Sequence, residues 1–417
     1  MDSPAQPLSF REVLQIRAVR RLWLGQLVSL FGDFLAVFAV ISVVTYKLNA
    51  GPAQVTLVII SFMIPMAFIG PVAGVFVDRW DLKRTMITSD LVRAVLALAL
   101  VFNSRLNGIY AILLLLSTVS TFFIPAQSVT LRTIVPREGL LAANALMQQA
   151  MQVVRIISPA LAGAMVGSLG ENSCYLIDSF SFLFSAAMIA PLVIRREQTA
   201  PAATGGKTVG SVVTELGAGM KFIFTHASIS FVIISLTAGM FAISSFSPLL
   251  AVYIRDFLKA GTKMFGFINS LVGIGMIFGT LFINRFARTR SKTHLVIEGL
   301  LGIGVSVALM AAVNQVWAAA LGNFGIGIGA ALIMVSSQTL IQQETPIALV
   351  GRVSSSVWAL LSVAQLVGLV FSGSMAQALG IVRLFYTSAG MLTLIAGFGY
   401  FRLQKRAQAM AAGASND

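Results

Sequence analysis

The sequence predicts an all-α membrane protein whose twelve transmembrane helices form two pseudo-symmetric six-helix bundles. Of its 417 residues, 57% are hydrophobic and only 11% are charged, and the mean hydropathy is +0.89. Soluble domains carry about 25% charged residues and could not bury this much apolar surface. Twelve apolar stretches are each about as long as a bilayer-spanning helix, which needs about 20 residues. The two halves of the chain also share a pattern of prolines and glycines.

The predicted spans follow one another through short polar connections. In chain order they are 21–46, 53–77, 85–104, 108–131, 139–167, 173–194, 228–253, 264–284, 295–314, 316–340, 353–377 and 381–401. Ahead of them, Phe10 to Arg20 predicts a basic, partly apolar helix on the cytoplasmic surface. The first span is long and lacks an A-x-A cleavage site, so we expect a retained helix rather than a signal peptide.

The distribution of cations predicts the orientation. Twelve spans place both termini on one side, where loops and termini carry 21 Lys and Arg residues against 6 on the other side. Loops rich in Lys and Arg stay in the cytoplasm, so both termini are predicted to be cytoplasmic. The net charge of +14 belongs to these loops. No basic and aromatic module interleaves with them, and we therefore expect no binding to nucleic acid.

A shift of 210 residues relates the two halves. The residues it aligns are Pro136 with Pro346, Gly163 with Gly373, and Leu169-Gly170 with Leu379-Gly380. The stretch between the halves is rich in Gly, Ala and Thr. We therefore predict an N-terminal bundle at 1–195, a cytoplasmic linker at 196–224, a C-terminal bundle at 225–402 and a cytoplasmic tail at 403–417. A parallel repeat of this kind is typical of secondary transporters, which bind substrate near the membrane midplane between the repeats.

Several kinds of chemistry are excluded by the residues present. Cys174 is the one cysteine, so an internal disulfide and a cysteine-based metal site are both ruled out. His226 and His294 begin neither an HxxxxD nor an HExxH pattern. No Walker A sequence is present. We therefore expect neither an enzyme, nor a metal, nor a cofactor.

The segment at 70–85, GPVAGVFVDRWDLKRT, resembles the signature of the loop between helices 2 and 3 in the major facilitator superfamily, G-x-x-x-[DE]-R-x-G-R-[KR]. The residues that fit are Gly74, Asp78, Arg79, Lys83 and Arg84. Asp81 and Leu82 depart from it, standing where the signature has Gly and Arg. Other segments resemble the enterobactin-exporter and macrolide-efflux branch: LGQLVSLFGDF, SDLVRAVL, FFIPAQSVTLRTIVP, ANALMQQAMQVVRIISPALAG and QETPIALVGRVSSS. Ser158-Pro159 stands where the antiporter signature has Gly-Pro.

Polar side chains inside the spans are the candidate functional residues, because a charge at a helix centre costs roughly 2.5–3.5 kcal/mol. Gln26, Ser29 and Asp33 share one face of the first span and should line a cavity. Asp33 is the first candidate for proton coupling, with a structural carboxylate as the alternative. Arg155 is the second, and it could instead bind an anionic substrate or pair permanently with Asp33 or Asp178.

Further polar residues extend the candidate cavity. Asn144, Gln148 and Gln152 step toward Arg155 along the fifth span and form one polar stripe with it. Asp178 lies close enough to an interface to be hydrated, as does Glu298, and for both a structural role is favoured. The C-terminal half has almost no deep charge. Its cavity candidates include Trp358, Ser362 and Gln365, which share one helix face. Helix packing explains each of these residues equally well.

A second group of residues is predicted to act in gating. Gly74, Asp78, Arg79, Lys83 and Arg84 would form a latch that breaks as the cytoplasmic side opens. The alternative, cation placement by topology alone, does not explain Asp78. Asp90 and Arg93 are spaced i, i+3 and are predicted to pair close to this loop, as a structural pair or a gate.

The resemblance implies export of small amphipathic compounds, drug-, macrolide- or siderophore-like, by proton-coupled alternating access in a bacterial inner membrane. Lysophospholipid transporters share the Phe31-Gly32-Asp33 triplet and the Pro125-Ala126 pair, so lipid transport is the alternative. A nutrient importer is less expected, because the C-terminal half has few hydrogen-bonding residues. The expected partners are an amphipathic substrate, protons and the lipid bilayer, and we expect a monomer.

Overall fold

A computed structural model describes residues 8–194, 209–286 and 290–414, and these residues form helices without a strand. The first half contains α1 Phe10–Gln15, α2 Arg17–Ser42, α3 Pro52–Phe68, α4 Gly70–Val77, α5 Leu82–Val101, α6 Leu106–Ile134, α7 Leu140–Leu169 and α8 Glu171–Ile189. The second contains α9 Val209–Thr225, α10 Ala227–Phe246, α11 Leu250–Asp256, α12 Thr262–Phe286, α13 Lys292–Ala312, α14 Val316–Glu344, α15 Ile347–Leu379 and α16 Ile381–Ala414. A π-helical turn, Val43–Lys47, extends α2, and 3₁₀ turns precede α7 and α11.

Each predicted span coincides with helical residues. Within the described ranges, nine helical segments are long and apolar enough to cross a membrane, and the protein is a multi-pass membrane protein. The three remaining predicted spans fall short of this length and apolar character for local reasons. α3 is 17 residues long and is separated from α4 at Ile69, α5 carries four charged residues, and α8 carries two acids and several serines. The count of twelve stays a prediction.

The chain start departs from the single helix predicted for Phe10 to Arg20. Ile16 is extended, with φ −66° and ψ 109°, and it divides α1 from α2. Ser9 begins α1 with a capping box, because its hydroxyl oxygen accepts from the Glu12 N–H while the Glu12 carboxylate accepts from the Ser9 N–H. Val13 is fully buried, and the Leu8 N–H donates to the Glu138 carbonyl at 3.1 Å. α1 is therefore anchored on the turn before α7.

The described residues divide into two compact units. One comprises 8–50, 57–194 and 260–270, and the other comprises the remainder. In the first unit α2 packs on α7 and α8, and α5 packs on α6 and α8; in the second α13 packs on α14 and α16, and α10 on α15. The predicted boundaries at 195, 224 and 402, and the cytoplasmic placement of the termini, stay predictions. Part of the predicted linker forms α9, and α16 runs on through most of the predicted tail.

The turns aligned by the 210-residue shift have matching backbones. Gly170 precedes α8 with φ 83°, and Gly380 precedes α16 with φ 85°. Such positive φ values favour glycine. Pro136 and Pro346 are both extended, with ψ 152° and 141°, at the starts of helical segments. The internal repeat is therefore visible in the local structure as well as in the sequence.

Candidate functional site

A cavity of about 470 Å³ lies inside the first unit, walled by α2, α3, α5, α6 and α7. Most of its wall is aliphatic, aromatic or methionine side chain. The polar exceptions are Gln26, Ser29, Asp33, Arg93, Ser120, Gln127 and Gln148. This combination of an apolar wall and a few convergent polar groups is typical of a small-molecule binding site.

The α2 face predicted from the sequence lines this cavity. Gln26, Ser29 and Asp33 follow the 3–4 spacing of one helix face, and all three contribute to the wall. Gln26 is 7% exposed and Ser29 is 2% exposed. The Nε2 of Gln26 has no hydrogen-bond partner among the described residues. A ligand or water in the cavity would satisfy this donor.

Arg93 on α5 brings positive charge to the wall. It forms an ion pair with Asp90, and both side chains are buried, at 5% and 0% exposure. The guanidinium also lies between two aromatic rings, 4.4 Å from the centroid of Phe123 and 4.3 Å from that of Phe182. Cation–π contacts of this kind are strongest when desolvated. Arg93 is thereby fixed at the edge of the cavity.

Two more carboxyls interact electrostatically with this arginine. Asp33 interacts electrostatically with Arg93 and Asp90, and Asp178 interacts with Asp33 and Arg93. Asp178 is 1% exposed on α8. Gly32 permits the approach of α8 to α2, because a Cβ there would lie only 2.7 Å from Oδ1 of Asp178. Asp90, Arg93 and Asp178 are buried and Asp33 is half-buried. We call these three carboxyls and one guanidinium the acid cluster.

The polar stripe of α7 only partly reaches the cavity. Gln148 lines it, whereas Asn144, Gln152 and Arg155 are exposed and lie outside its wall. Arg155 makes no ion pair within the described ranges. It lies two helical turns, about 10 Å, beyond Gln148. One alternative left open by the sequence, a pairing of Arg155 with Asp33, is therefore not found, and Arg93 is the arginine that acts on Asp33.

Two other expectations about charged residues need correction. Asp178 was expected to be hydrated near an interface, but it is buried in the acid cluster because α8 packs tightly on α2. Asp90 and Arg93 pair as their spacing predicts, yet Arg93 belongs to the cavity wall rather than to the loop before α5. Glu298 is half-buried, and its carboxylate lies 2.8 Å from Arg290; its hydration near an interface stays a prediction.

The predicted latch residues surround the turn between α4 and α5. Asp78, Arg79 and Arg84 are exposed, and Gly74 and Lys83 are half-buried. Asp81, which departs from the family signature, caps α5, since its Oδ1 accepts from the Arg84 N–H at 2.7 Å. A carboxylate N-cap replaces the turn glycine of the signature. Whether these residues act as a latch stays a prediction.

The predicted C-terminal cavity residues lie in the second unit, on α15. Trp358 is 60% exposed, and the Ser362 hydroxyl donates to the Trp358 carbonyl at 2.9 Å. Gln365 is half-buried. None of the three lines the cavity of the first unit. Their contact with substrate stays a prediction.

The sequence analysis missed the contribution of α6. Ser120, Phe123, Ile124 and Gln127 all line the cavity. Their i, i+3, i+4, i+7 spacing marks one helix face and was available from the sequence. Among the described residues, no group of His, Cys, Asp and Glu side chains is arranged to hold a metal ion.

Comparison with known proteins agrees with this architecture. The model of the Major Facilitator Superfamily matches residues 22–357. The uncharacterised MFS-type transporter YfiS of Bacillus subtilis (strain 168) is 23% identical over 384 residues, covering 91% of each chain. Macrolide efflux protein A of Streptococcus pyogenes is 24% identical over 392 residues, covering 90% of this chain and 93% of its own.

A solved structure shows the same fold. The crystal structure of the nucleoside transporter NupG superposes with a TM-score of 0.71 at 13% identity, covering 92% of this chain and 98% of that one. These matches confirm the family resemblance found in the loop signature and in the helix segments. Family and fold both assign the chain to membrane transport rather than to enzyme catalysis. The chain belongs to the major facilitator superfamily.

Proposed function

We propose that this protein exports small amphipathic compounds and that proton binding at the acid cluster drives the export. The observation that carries the proposal is a cluster of three carboxyls and one guanidinium opening onto a mostly apolar cavity. The cavity selects the cargo, and the cluster supplies the site at which a proton is exchanged.

The wall of the cavity suits a flexible, largely apolar compound. Phe34 and Phe62 offer aromatic surface, and Met66, Met147 and Met151 offer unbranched thioether chains. Methionine adapts its shape to different ligands and is common at surfaces that bind several partners. The few polar groups would orient one polar end of the compound rather than enclose a fully hydroxylated one such as a sugar.

The charge balance of the acid cluster supports proton exchange. Three ionised carboxylates beside a single guanidinium would leave two uncompensated charges in a medium of low dielectric, which is costly. At least one carboxyl therefore carries a proton in this arrangement. Asp33 is the acid that lines the cavity. Its proton can therefore pass to water or be displaced by a cationic substrate that binds the carboxylate. Competition between proton and substrate at one site would couple their movements.

The relatives support the direction of transport and the class of cargo. Macrolide efflux protein A matches this chain over 90% of its length, and its name describes efflux of macrolides. We extend export of such compounds to this protein. The roles proposed for Arg155, Trp358, Ser362 and Gln365 rest on the sequence alone.

Transport by wild type and Asp33→Asn in an efflux-deficient bacterial host would test the proposal. The cargo panel would contain amphipathic dyes, macrolides and a labelled lysophospholipid, each with and without a protonophore. We expect wild type to lower accumulation of several compounds, and both the mutation and the protonophore to abolish this effect. Glu298→Gln is the matched control, because it removes a carboxylate outside the acid cluster and should transport normally.

Two outcomes would contradict the proposal in different ways. Full transport by Asp33→Asn at wild-type expression would remove the acid cluster from coupling. Movement of the lysophospholipid alone would replace drug export by lipid transport while leaving the cavity as the binding site. Loss of transport in Glu298→Gln as well would show that the assay responds to any lost carboxylate.

A further inference from the structure

A second concave site lies on the surface of the first unit. This groove has a volume of about 530 Å³ and runs between the turn that precedes α5 and the middle of α6. It shares no lining residue with the transport cavity. No role in cargo binding accounts for it. Its lining residues include Arg79, Trp80, Arg84, Thr88, Thr118 and Phe122.

The polar end of the groove is cationic. Arg79 and Arg84 are both exposed in it, and neither makes an ion pair within the described ranges. Asp81 also lines the groove, but its carboxylate already accepts from the Arg84 N–H. Two guanidiniums therefore face one carboxylate that is committed to the helix cap. Paired guanidiniums suit a phosphate group because their N–H donors match its oxygens.

Hydroxyl oxygens and an aromatic ring continue the groove. The hydroxyl hydrogens of Thr88 and Thr118 bond to carbonyls of their own helices, so their oxygens remain as acceptors for a hydroxylated headgroup. Trp80 is 44% exposed and packs against Phe76 and Phe122, with ring centroids 5.9 and 5.5 Å apart. Tryptophan is enriched where membrane proteins meet the headgroup layer.

Away from the arginines the same two helix faces become apolar. On α5, Arg84 and Thr88 are followed at helical spacing by Leu91 and Val95, which are 45% and 67% exposed. On α6 the residue one turn before Thr118 is Leu115, 49% exposed. The surface therefore passes from cations, through hydroxyls and an indole, to exposed aliphatic side chains. A phospholipid has the same order of phosphate, glycerol and acyl chain.

We propose that this groove binds one anionic phospholipid with a hydroxylated headgroup, held by Arg79 and Arg84 with its acyl chains along α5 and α6. The predicted orientation places the lipid in the cytoplasmic leaflet. The site shares no lining residue with the cavity, whereas Arg79 and Arg84 also belong to the predicted latch, so its test measures lipid contact rather than transport. Two arginines at about 1 kcal/mol each give roughly a thirtyfold preference for the anionic over the zwitterionic lipid.

Fluorescence quenching of Trp80 would test the site in the full chain. The protein would be reconstituted in phosphatidylcholine bilayers with a minor fraction of brominated phosphatidylglycerol or brominated phosphatidylcholine, since bromine quenches an indole at contact. The Trp80 signal is the difference between the parent and Trp80→Phe. We expect brominated phosphatidylglycerol to quench Trp80 at a much lower fraction than brominated phosphatidylcholine. Arg79→Gln/Arg84→Gln should abolish the difference.

The control variant is Arg11→Gln/Arg17→Gln, which removes two exposed cations outside the groove and should keep the preference. Equal quenching by the two lipids in the parent would overturn the proposal without any variant. Equal loss of the preference for phosphatidylglycerol in both double variants would also overturn the proposal, because the preference would then come from the general surface charge. Relief of quenching by inorganic phosphate would show a phosphate site instead of a lipid site.

Discussion

Arg93 is held by Asp90 on its own helix and by the rings of Phe123 and Phe182 on two neighbouring helices. Its guanidinium interacts electrostatically with three carboxyls, and of these three only Asp90 forms an ion pair with it. Loss of one member of a buried pair leaves the other charge uncompensated, and that penalty exceeds the net value of the pair. The stability of the first unit therefore depends on keeping Asp90 and Arg93 together.

We expect Arg93→Gln to destabilise the protein by about 3–5 kcal/mol, because Asp90 would remain buried without its counterion. The double variant Asp90→Asn/Arg93→Gln should recover most of that loss, since two neutral side chains replace the pair. Thermal unfolding in detergent, followed by size-exclusion chromatography of the surviving fraction, measures both. A double variant no more stable than Arg93→Gln would show that the cation–π contacts, rather than the ion pair, hold the helices together.

At the residue scale, the sequence predicted helix faces better than it predicted partners. Spacing alone placed Asp33 with Gln26 and Ser29, and it paired Asp90 with Arg93. The pairing of Arg155 with Asp33, one of the alternatives that the sequence left open, is not found, because spacing along one helix does not show how far along a neighbouring helix a side chain lies. The burial of Asp178 was not predicted for the same reason, since it depends on how closely α8 approaches Gly32 of the neighbouring helix α2.

At the scale of the element, the short helix α1 depends on one local device. The Ser9 hydroxyl and N–H both donate to the Glu12 carboxylate, at 2.6 and 2.7 Å. These hydrogen bonds lower the pKa of Glu12 from its ordinary value near 4.5. A lowered folded-state pKa stabilises the helix above the unfolded value, and this contribution is lost as the pH falls through the folded-state pKa.

Protection of the α1 amides from hydrogen exchange should therefore decrease as the pH falls below about 4.5, relative to the intrinsic exchange rate. Glu12→Gln should have lower protection at neutral pH and little further loss on acidification, because its side chain does not titrate. Hydrogen-exchange mass spectrometry of the peptide covering α1 measures this. Pronounced acid-dependent loss in Glu12→Gln would assign the effect to another group.

Helix bodies were predicted well and helix breaks were not. Hydropathy located the stretch at 53–77 but not its division at Ile69, and basic periodicity located 10–20 but not the extended Ile16. Ile16 has extended dihedral angles, whereas Ile69 keeps helical ones, φ −88° and ψ −32°, just before Gly70 and Pro71. A pattern averaged over several turns resolves neither break. The missed face of α6 was different, because its spacing was present and the search had concentrated on charged residues.

At the scale of the whole molecule, the topology depends on three predicted spans that are not among the nine helical segments long and apolar enough to cross a membrane within the described ranges. The spans formed by α3 with α4, by α5 and by α8 must all cross if the chain has twelve spans, and an odd number of them must cross if both termini are to lie on one side. Ser104, before α6, and Val193, after α8, are exposed positions at which a new cysteine tests them. Cys174 is fully buried and should therefore contribute little background labelling.

We expect Ser104→Cys to react with a membrane-impermeant maleimide added to intact cells, and Val193→Cys to react only after permeabilisation. The parent should not react in either condition because its one thiol is buried. Labelling of Ser104→Cys only after permeabilisation would show that α3 with α4, or α5, does not cross. Labelling of Val193→Cys in intact cells would show the same for α8.

The membrane class, the twelve apolar stretches and the internal repeat could be predicted because each is written in residues that lie close together or at a fixed shift. The walls of the cavity could not, since five helices contribute and their order in space is set by packing between helices. Small residues such as Gly32 control that packing, and hydropathy does not register them.

The two positive-φ glycines, Gly170 and Gly380, have a consequence for how this chain can diverge. They occupy corresponding places in the two halves, and any other residue there would strain the turn. The residues that follow them differ between the halves, Glu171 against Ile381, whereas the backbone conformation of the two glycines is the same. These two positions therefore mark equivalent points of the two halves, from which the residue-by-residue correspondence of the halves can be counted outward in both directions.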